Sequence, residues 1–309
     1  MTAIDVSYTV SGEGPPLYMV HGIGSRRVTW DGLLPGLEEH FTCVRYDLRG
    51  HGESPTPPVP YSLEDLVADL EALRVRLSHE RIHVIGHSLG GQIGPAYARA
   101  HPDRTASVVL LSTAAGRTED DSAKVKGVVA RMRTEGVEPV LATLLDRWYT
   151  DGFIEARPDA IRDRIQQVLG TPEDVFLSVF DVYAGTEMAP WLHKVTCPCL
   201  VMTGEFDGGC SPRLNRFIAD ELPDAELVSM GSSLKFCLVA EGAADLYPRF
   251  VPTMEWDTGA AQCILEQAGG AVCTLDGYRL AYGREDLRNP SIIAAGHPAI
   301  DWKSLLPSD

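Results

Sequence analysis

The chain has 309 residues, 44% of them hydrophobic, and a formal net charge of −16. That length accommodates one large core, or one large and one small domain. The acidity, with no Lys/Arg run, argues against nucleic acid and anionic lipid surfaces as partners, and no apolar stretch approaches the length of a membrane span.

The first ten residues, MTAIDVSYTV, carry no basic region and no apolar core, so no signal peptide is expected. Apolar runs of strand length then recur: Pro16 to His21, Thr42 to Asp47, Ile82 to Gly86, Ser107 to Ser112, Cys199 to Thr203 and Ala225 to Ser229. Their continuous Val, Leu and Ile content fits strands buried on both faces of a parallel sheet. Between them, Ser62 to Leu77 reads as a helix. Ser62 and Asp65 supply a cap, and Leu63, Leu66, Val67, Leu70, Leu73 and Leu77 share one face. Alternating strand and helix predicts an α/β fold with a doubly wound, mostly parallel sheet. Residues 118–190 break the rhythm; they read as an inserted helical lid between the sixth and seventh strands, placed to select substrates. Seven scattered cysteines, an odd number, fit a reduced cytoplasmic chain, and Cys197-Pro-Cys199 reads as two small residues entering a strand.

Composition shifts near residue 231. Thr258 to Ala268 reads as a helix ended by Gly269 and Gly270, followed by two strand-like runs around a two-residue turn at Asp276-Gly277. The expected domains are 1–230 and 231–309, the second an α+β fragment. Its apolar FCLVA stretch (residues 236–240) is expected to lack its native partners, giving a looser tail.

Gly86-His87-Ser88-Leu89-Gly90 matches G-x-S-x-G, between a strand and a helix-compatible run, Gly91 to Ala100. The glycines permit a strained turn that presents Ser88 as a nucleophile, with a helix N-terminus behind it to favour negative charge. His87 is expected to point elsewhere. His21-Gly22-Ile23-Gly24 follows an earlier strand; the backbone N–H groups of Ile23 and Leu89 would form an oxyanion hole, and His21 would shape the loop.

Residues 1–230 resemble the α/β-hydrolase superfamily through HGIGS at 21–25, DLRGHGES at 47–54, GHSLGG at 86–91 and GEFDGGCSP at 204–212. The lid and Arg147-Trp148-Tyr149 resemble 3-oxoadipate enol-lactonases and related small esterases. The resemblance implies Ser88 as nucleophile, Asp207 just after the seventh strand as triad acid, and no cofactor. The substrate would be a small ester or lactone. The triad order is Ser, acid, His, which places the histidine at residues 233–237, after an eighth strand. The chain reads Ser233, Leu234, Lys235, Phe236, Cys237 there. The one histidine beyond Asp207 is His297, a surrogate base only if the tail folds back. Without a base Ser88 cannot shed its proton during attack, so activity should be impaired.

The segments GSSLKFCLVAEGAADLYPRF, EWDTGAAQCILEQAGGAV and NPSIIAAG resemble 3′(2′),5′-bisphosphate nucleotidases of the inositol-monophosphatase-like, magnesium-dependent family. That resemblance implies Asp257 as a metal ligand and Ser233, Lys235 and Arg249 at a nucleotide or phosphate site. The family's upstream Asp-Pro-x-Asp-Gly-Thr segment is missing, and one carboxylate does not hold magnesium for phosphoryl chemistry; Asp257 reads instead as a helix N-terminal carboxylate. The text is that of a chimera of two incomplete enzymes. Three functions follow: an impaired serine esterase or lactonase, a magnesium-dependent phosphatase, or a non-catalytic pseudoenzyme.

Overall fold

A computed structural model describes residues 3–227, 232–242, 244–250, 253–298 and 300–305. The chain divides into two compact units, Met1–Val228 and Ser229–Asp309.

The first unit is built on a seven-stranded sheet in the order β1-β3-β2-β4-β5-β6-β7. Its strands are β1 (Tyr8–Ser11), β2 (Pro16–Val20), β3 (Thr42–Tyr46), β4 (Ile82–His87), β5 (Thr105–Leu111), β6 (Cys199–Met202) and β7 (Ala225–Leu227). β1 runs antiparallel to β3; every other pairing is parallel. β2 shows why its sequence does not alternate. Leu17 and Met19 join one buried cluster with Cys43 and Ile85, while Tyr18 and Val20 join another with Val44, Val84 and Ile93. Both faces are covered, so both sets of side chains are apolar.

After the short α1 (Leu34–Leu37), helix α2 (Leu63–Arg76) starts where the sequence predicts. Ser62 Oγ accepts the Asp65 N–H, and the Asp65 carboxylate accepts the Ser62 N–H in return, a reciprocal cap. α3 (Gly90–Ala100) follows β4 directly. The helical insertion comprises α4 (Glu119–Glu135), α5 (Val137–Trp148), α6 (Asp151–Ala156), α7 (Pro158–Leu169) and α8 (Glu173–Gly185). It lies between β5 and β6, not between the sixth and seventh strands. The sheet holds one strand fewer before the insertion than the sequence count assumed. α9 (Pro212–Glu221) precedes β7, the last strand of this sheet.

The second unit contains α10 (Ser232–Ala240), β8 (Leu246–Arg249), β9 (Thr253–Met254), α11 (Glu255–Gln267), β10 (Ala271–Thr274), β11 (Arg288–Asn289) and β12 (Ile292–Ala295). Strands β10-β12-β8 form an antiparallel sheet, and β9 pairs with β11. Two expectations are corrected here. Phe236 and Val239 of the FCLVA stretch are not orphaned; they are buried with Leu265, Val272 and Ile292 in this unit's own core. The turn at Asp276-Gly277 is a three-residue loop, because the Thr274 N–H donates to the Tyr278 carbonyl across Leu275, Asp276 and Gly277. Gly277 takes φ +89°, the left-handed position that closes such loops. Strand pairing beyond it is a single bridge between Cys273 and Arg279.

Candidate active site

The elbow at the end of β4 is strained in the way its glycines anticipate. Ser88 has φ +56°, rare for a side chain with a Cβ. A Cβ on Gly86 would lie 2.0 Å from the Gly90 carbonyl oxygen, and one on Gly90 would lie 2.1 Å from that of Val20. Only hydrogen fits at either position. The turn is fastened by the Ser88 N–H donating to Leu111 O (2.9 Å) and by the Thr113 hydroxyl and Gly91 N–H donating to Ser88 O (2.9 Å each). Ser88 opens into a cavity of about 230 Å³ at the carboxyl end of the sheet, lined by residues of the first unit.

Asp207 lines the same cavity. It follows β6, so the sheet position assigned from sequence shifts by one strand although the residue does not. Its carboxylate accepts the N–H groups of Gly209 (2.9 Å) and Cys210 (2.6 Å) and the Thr203 hydroxyl (3.2 Å), which fix its orientation. His87 also faces this cavity, contrary to the expected divergence of the two neighbouring side chains. Its imidazole pKa is lowered by desolvation in the cavity and by Arg164, with Asp207 opposing, while the residue keeps an exposed surface.

Ile23 lines the cavity and Leu89 is the buried residue after Ser88. Among the described residues neither backbone N–H donates to a protein acceptor. The 21–25 loop around Ile23 is held by two buried imidazoles. His21 Nδ1 donates to Gly22 O (2.8 Å) while its Nε2 accepts the Leu48 N–H (3.0 Å). His51 Nδ1 donates to Arg49 O (3.0 Å) while its Nε2 accepts the Gly24 N–H (3.1 Å). Each ring uses both nitrogens and must be neutral to do so. Burial lowers both pKa values, that of His51 to about 4 and that of His21 well below its usual range. The rest of DLRGHGES is structural in the same sense: Arg49 is fully buried and bonds Asp69 through two 2.7 Å contacts.

The histidine missing from residues 233–237 is not compensated by a loop. Residues 232–240 are helix α10, and Phe236 is 1% exposed. His297 is an exposed residue of the second unit, just after β12. Asp257 sits in the first turn of α11, where its carboxylate accepts the Met254 N–H (2.8 Å). Lys235 lies over the Tyr247 ring (5.2 Å), Arg249 stands on β8 opposite Ile292, and the Ser233 side chain falls outside the described residues. Asn289, of the NPSIIAAG segment, is buried and donates to Thr253, Met254 and Thr258, tying β11 to β9 and α11. Among the described residues no three His, Cys, Asp or Glu side chains cluster as a metal site.

The sequence missed Arg164. It projects from α7 into the cavity, donates to Ile23 O (2.7 Å) and Gly24 O, and lies 4.7 Å from the Trp148 ring centre. Desolvation lowers its pKa to about 10, with Tyr149 opposing, so it stays charged at neutral pH. No motif marks it, because its role depends on how the insertion folds.

The family model described as alpha/beta hydrolase fold matches residues 15–236, and that of the inositol monophosphatase family matches residues 210–305. Over 237 residues the chain is 27% identical to 3-oxoadipate enol-lactonase 2 of Acinetobacter baylyi, covering 75% of this chain and 88% of that protein. It is 29% identical over 249 residues to a pimeloyl-[acyl-carrier protein] methyl ester esterase of Neisseria meningitidis, with 76% of each covered. The solved enol-lactonase from Burkholderia xenovorans superposes with a TM-score of 0.69 at 28% identity, covering 74% of this chain and 88% of that one. With the elbow, the sheet order and the helical insertion in agreement with that match, the chain belongs to the α/β-hydrolase-fold family.

Proposed function

We propose that this protein hydrolyses small carboxylic esters or lactones through Ser88, slowly, because residues 233–237, where the triad order places the histidine, contain none. The observation that carries the reading is the strained elbow, which holds Ser88 at φ +56° on the wall of a cavity shared with Asp207 and Ile23. Ser88 Oγ attacks the ester carbonyl and its proton passes to solvent water; the N–H groups of Ile23 and Leu89 take up the oxyanion, the N-terminus of α3 adds a favourable field, and the intermediate collapses by breaking the ester C–O bond, which expels the alcohol or phenolate and leaves the acyl group on Ser88. Water then releases the acyl group. Loss of the base from a triad costs about six orders of magnitude in turnover, with residual catalysis from the oxyanion hole. Activated esters, whose leaving groups need no protonation, are therefore the substrates of choice for detection. Ser88→Ala should abolish ester hydrolysis measured on p-nitrophenyl acetate, and hydrolysis unchanged in that variant would end the proposal.

The inositol monophosphatase match supports a second reading, a magnesium-dependent phosphatase. The residues present do not fit the metal: the Asp257 carboxylate is engaged by the Met254 N–H, and no acidic cluster joins it among the described residues. Phosphate release from adenosine 3′,5′-bisphosphate that a chelator abolishes would restore this reading. A pseudoenzyme that binds a ligand in the same cavity without turnover is the third, separated from the first by the Ser88→Ala comparison.

A further inference from the structure

The peptide between Ile23 and Gly24 is gripped from two directions. On one side the Gly24 N–H is committed to His51 Nε2 (3.1 Å). On the other, Arg164 donates to the carbonyls of both Ile23 (2.7 Å) and Gly24. Space is tight as well: a Cβ on Gly24, which has φ +58°, would lie 2.5 Å from the Phe176 ring of α8. The preceding carbonyl, Gly22 O, is taken by His21 Nδ1 and the Ser25 N–H. Among the described residues the N–H of Ile23, which lines the cavity, donates to no protein acceptor. Two of the elements that grip the loop, α7 and α8, belong to the helical insertion rather than to the sheet that carries Ser88.

Arg164 also differs from the arginines that are paired with acids. Arg27, Arg49, Arg74 and Arg133 each meet a carboxylate, as a chain of net charge −16 makes easy. Among the described residues Arg164 has no carboxylate within 4.0 Å; its groups are two carbonyls, the Trp148 face and Tyr149. Its uncompensated charge reaches His21, His51 and His87, lowering the pKa of each. A cation held in a partly dry site, beside the amide that would receive an oxyanion, stabilises negative charge developing there more than it stabilises a neutral ester.

We propose that Arg164 is a positioning residue that makes the oxyanion hole depend on the insertion: its two-pronged grip on Ile23 O and Gly24 O fixes the Ile23 N–H toward the cavity, so that Ser88 reacts at its full rate only when α7 is in place. This rests on Ser88 being the nucleophile. Removing an oxyanion donor typically costs about 10²–10³ in rate, and releasing one rather than deleting it should cost about 30-fold. A lysine keeps the charge but not the fork, so it should recover only part of the loss.

The test is the acylation of Ser88 by a neutral fluorophosphonate in the parent, Arg164→Ala, Arg164→Lys and the control Arg162→Ala, an exposed residue on the same helix. Hydrogen exchange of residues 22–25 is followed in the same proteins. The expected result is a maximal acylation rate about 30-fold lower in Arg164→Ala with little change in the half-saturating probe concentration. Lysine should rescue it in part, added methylguanidine should rescue it further, and exchange at 22–25 should be faster. A mere loss of fold would not respond to methylguanidine. Equal acylation rates in parent and Arg164→Ala would overturn the proposal. If the parent does not acylate at all, the nucleophile assignment fails instead, and exchange alone decides the grip: faster exchange at 22–25 in Arg164→Ala upholds it, and unchanged exchange overturns it.

Discussion

Replacing Phe236 by histidine puts an imidazole where the triad order calls for one, and should damage the second unit rather than restore catalysis. Phe236 is 1% exposed and meets Tyr247 edge-on, with ring centres 5.4 Å apart, in a core with Val239, Leu265 and Ile292. Truncating such a phenylalanine to alanine costs about 3–5 kcal/mol. Histidine keeps part of the ring volume but buries two nitrogens among apolar side chains, each unpaired group costing about 1–3 kcal/mol. A net loss of about 3 kcal/mol is expected, comparable with the stability of a unit this small. Limited proteolysis read by mass spectrometry should show cleavage within residues 232–305 at protease concentrations that leave the parent intact, while cleavage in residues 3–227 is unchanged. Labelling of Ser88 by a fluorophosphonate should not accelerate. A Phe236→His protein as resistant as the parent, with labelling a thousandfold faster, would refute the reasoning and put a loop where the structure has α10.

Other consequences follow from buried groups of the first unit. His51 stays neutral in the fold until about pH 4, whereas the unfolded chain takes up that proton near pH 6.5. The folded state then binds fewer protons, so stability should be fully present above pH 6.5 and fall as pH drops toward 4, by about 3 kcal/mol from this group. Urea midpoints across that window check it; a flat profile contradicts it. Asp69→Ala leaves Arg49 buried without its two 2.7 Å partners and frees the Ile4 N–H, a loss of about 3–5 kcal/mol visible as a lowered Tm. Gly86→Ala cannot place its methyl group 2.0 Å from Gly90 O, so the elbow should rearrange at a cost above about 4 kcal/mol, with loss of Ser88 labelling. Normal labelling in that variant would show that the elbow tolerates a backbone shift.

The elbow, the sheet and the capped helix α2 were legible because each rests on local chemistry. G-x-S-x-G requires glycine where a Cβ would strike backbone, both-face burial removes alternation from β2, and Ser62 with Asp65 closes a helix end within one turn. The strand numbering was less legible: β1 is short, partly exposed and written as an unremarkable YTVS, so the chain's own runs did not fix the count, and the superfamily resemblance placed the insertion after a sixth strand where five precede it. The FCLVA stretch was misjudged because its partners, Leu265 and Ile292, lie tens of residues away and only tertiary packing joins them. Arg164 was invisible for a related reason. A surface-type residue on an amphipathic helix acquires meaning only when α7 lies over the Ile23–Gly24 peptide.

The central claim is that Ser88 is a positioned nucleophile, and its most direct test is fluorophosphonate labelling of the full chain at neutral pH, with the modified peptide identified by mass spectrometry. The account predicts slow, stoichiometric labelling on Ser88, absent in Ser88→Ala and with no inflection near pH 6.5 that an assisting imidazole of ordinary pKa would impose. A folded parent that remains unlabelled, or labelling that persists in Ser88→Ala, would contradict it.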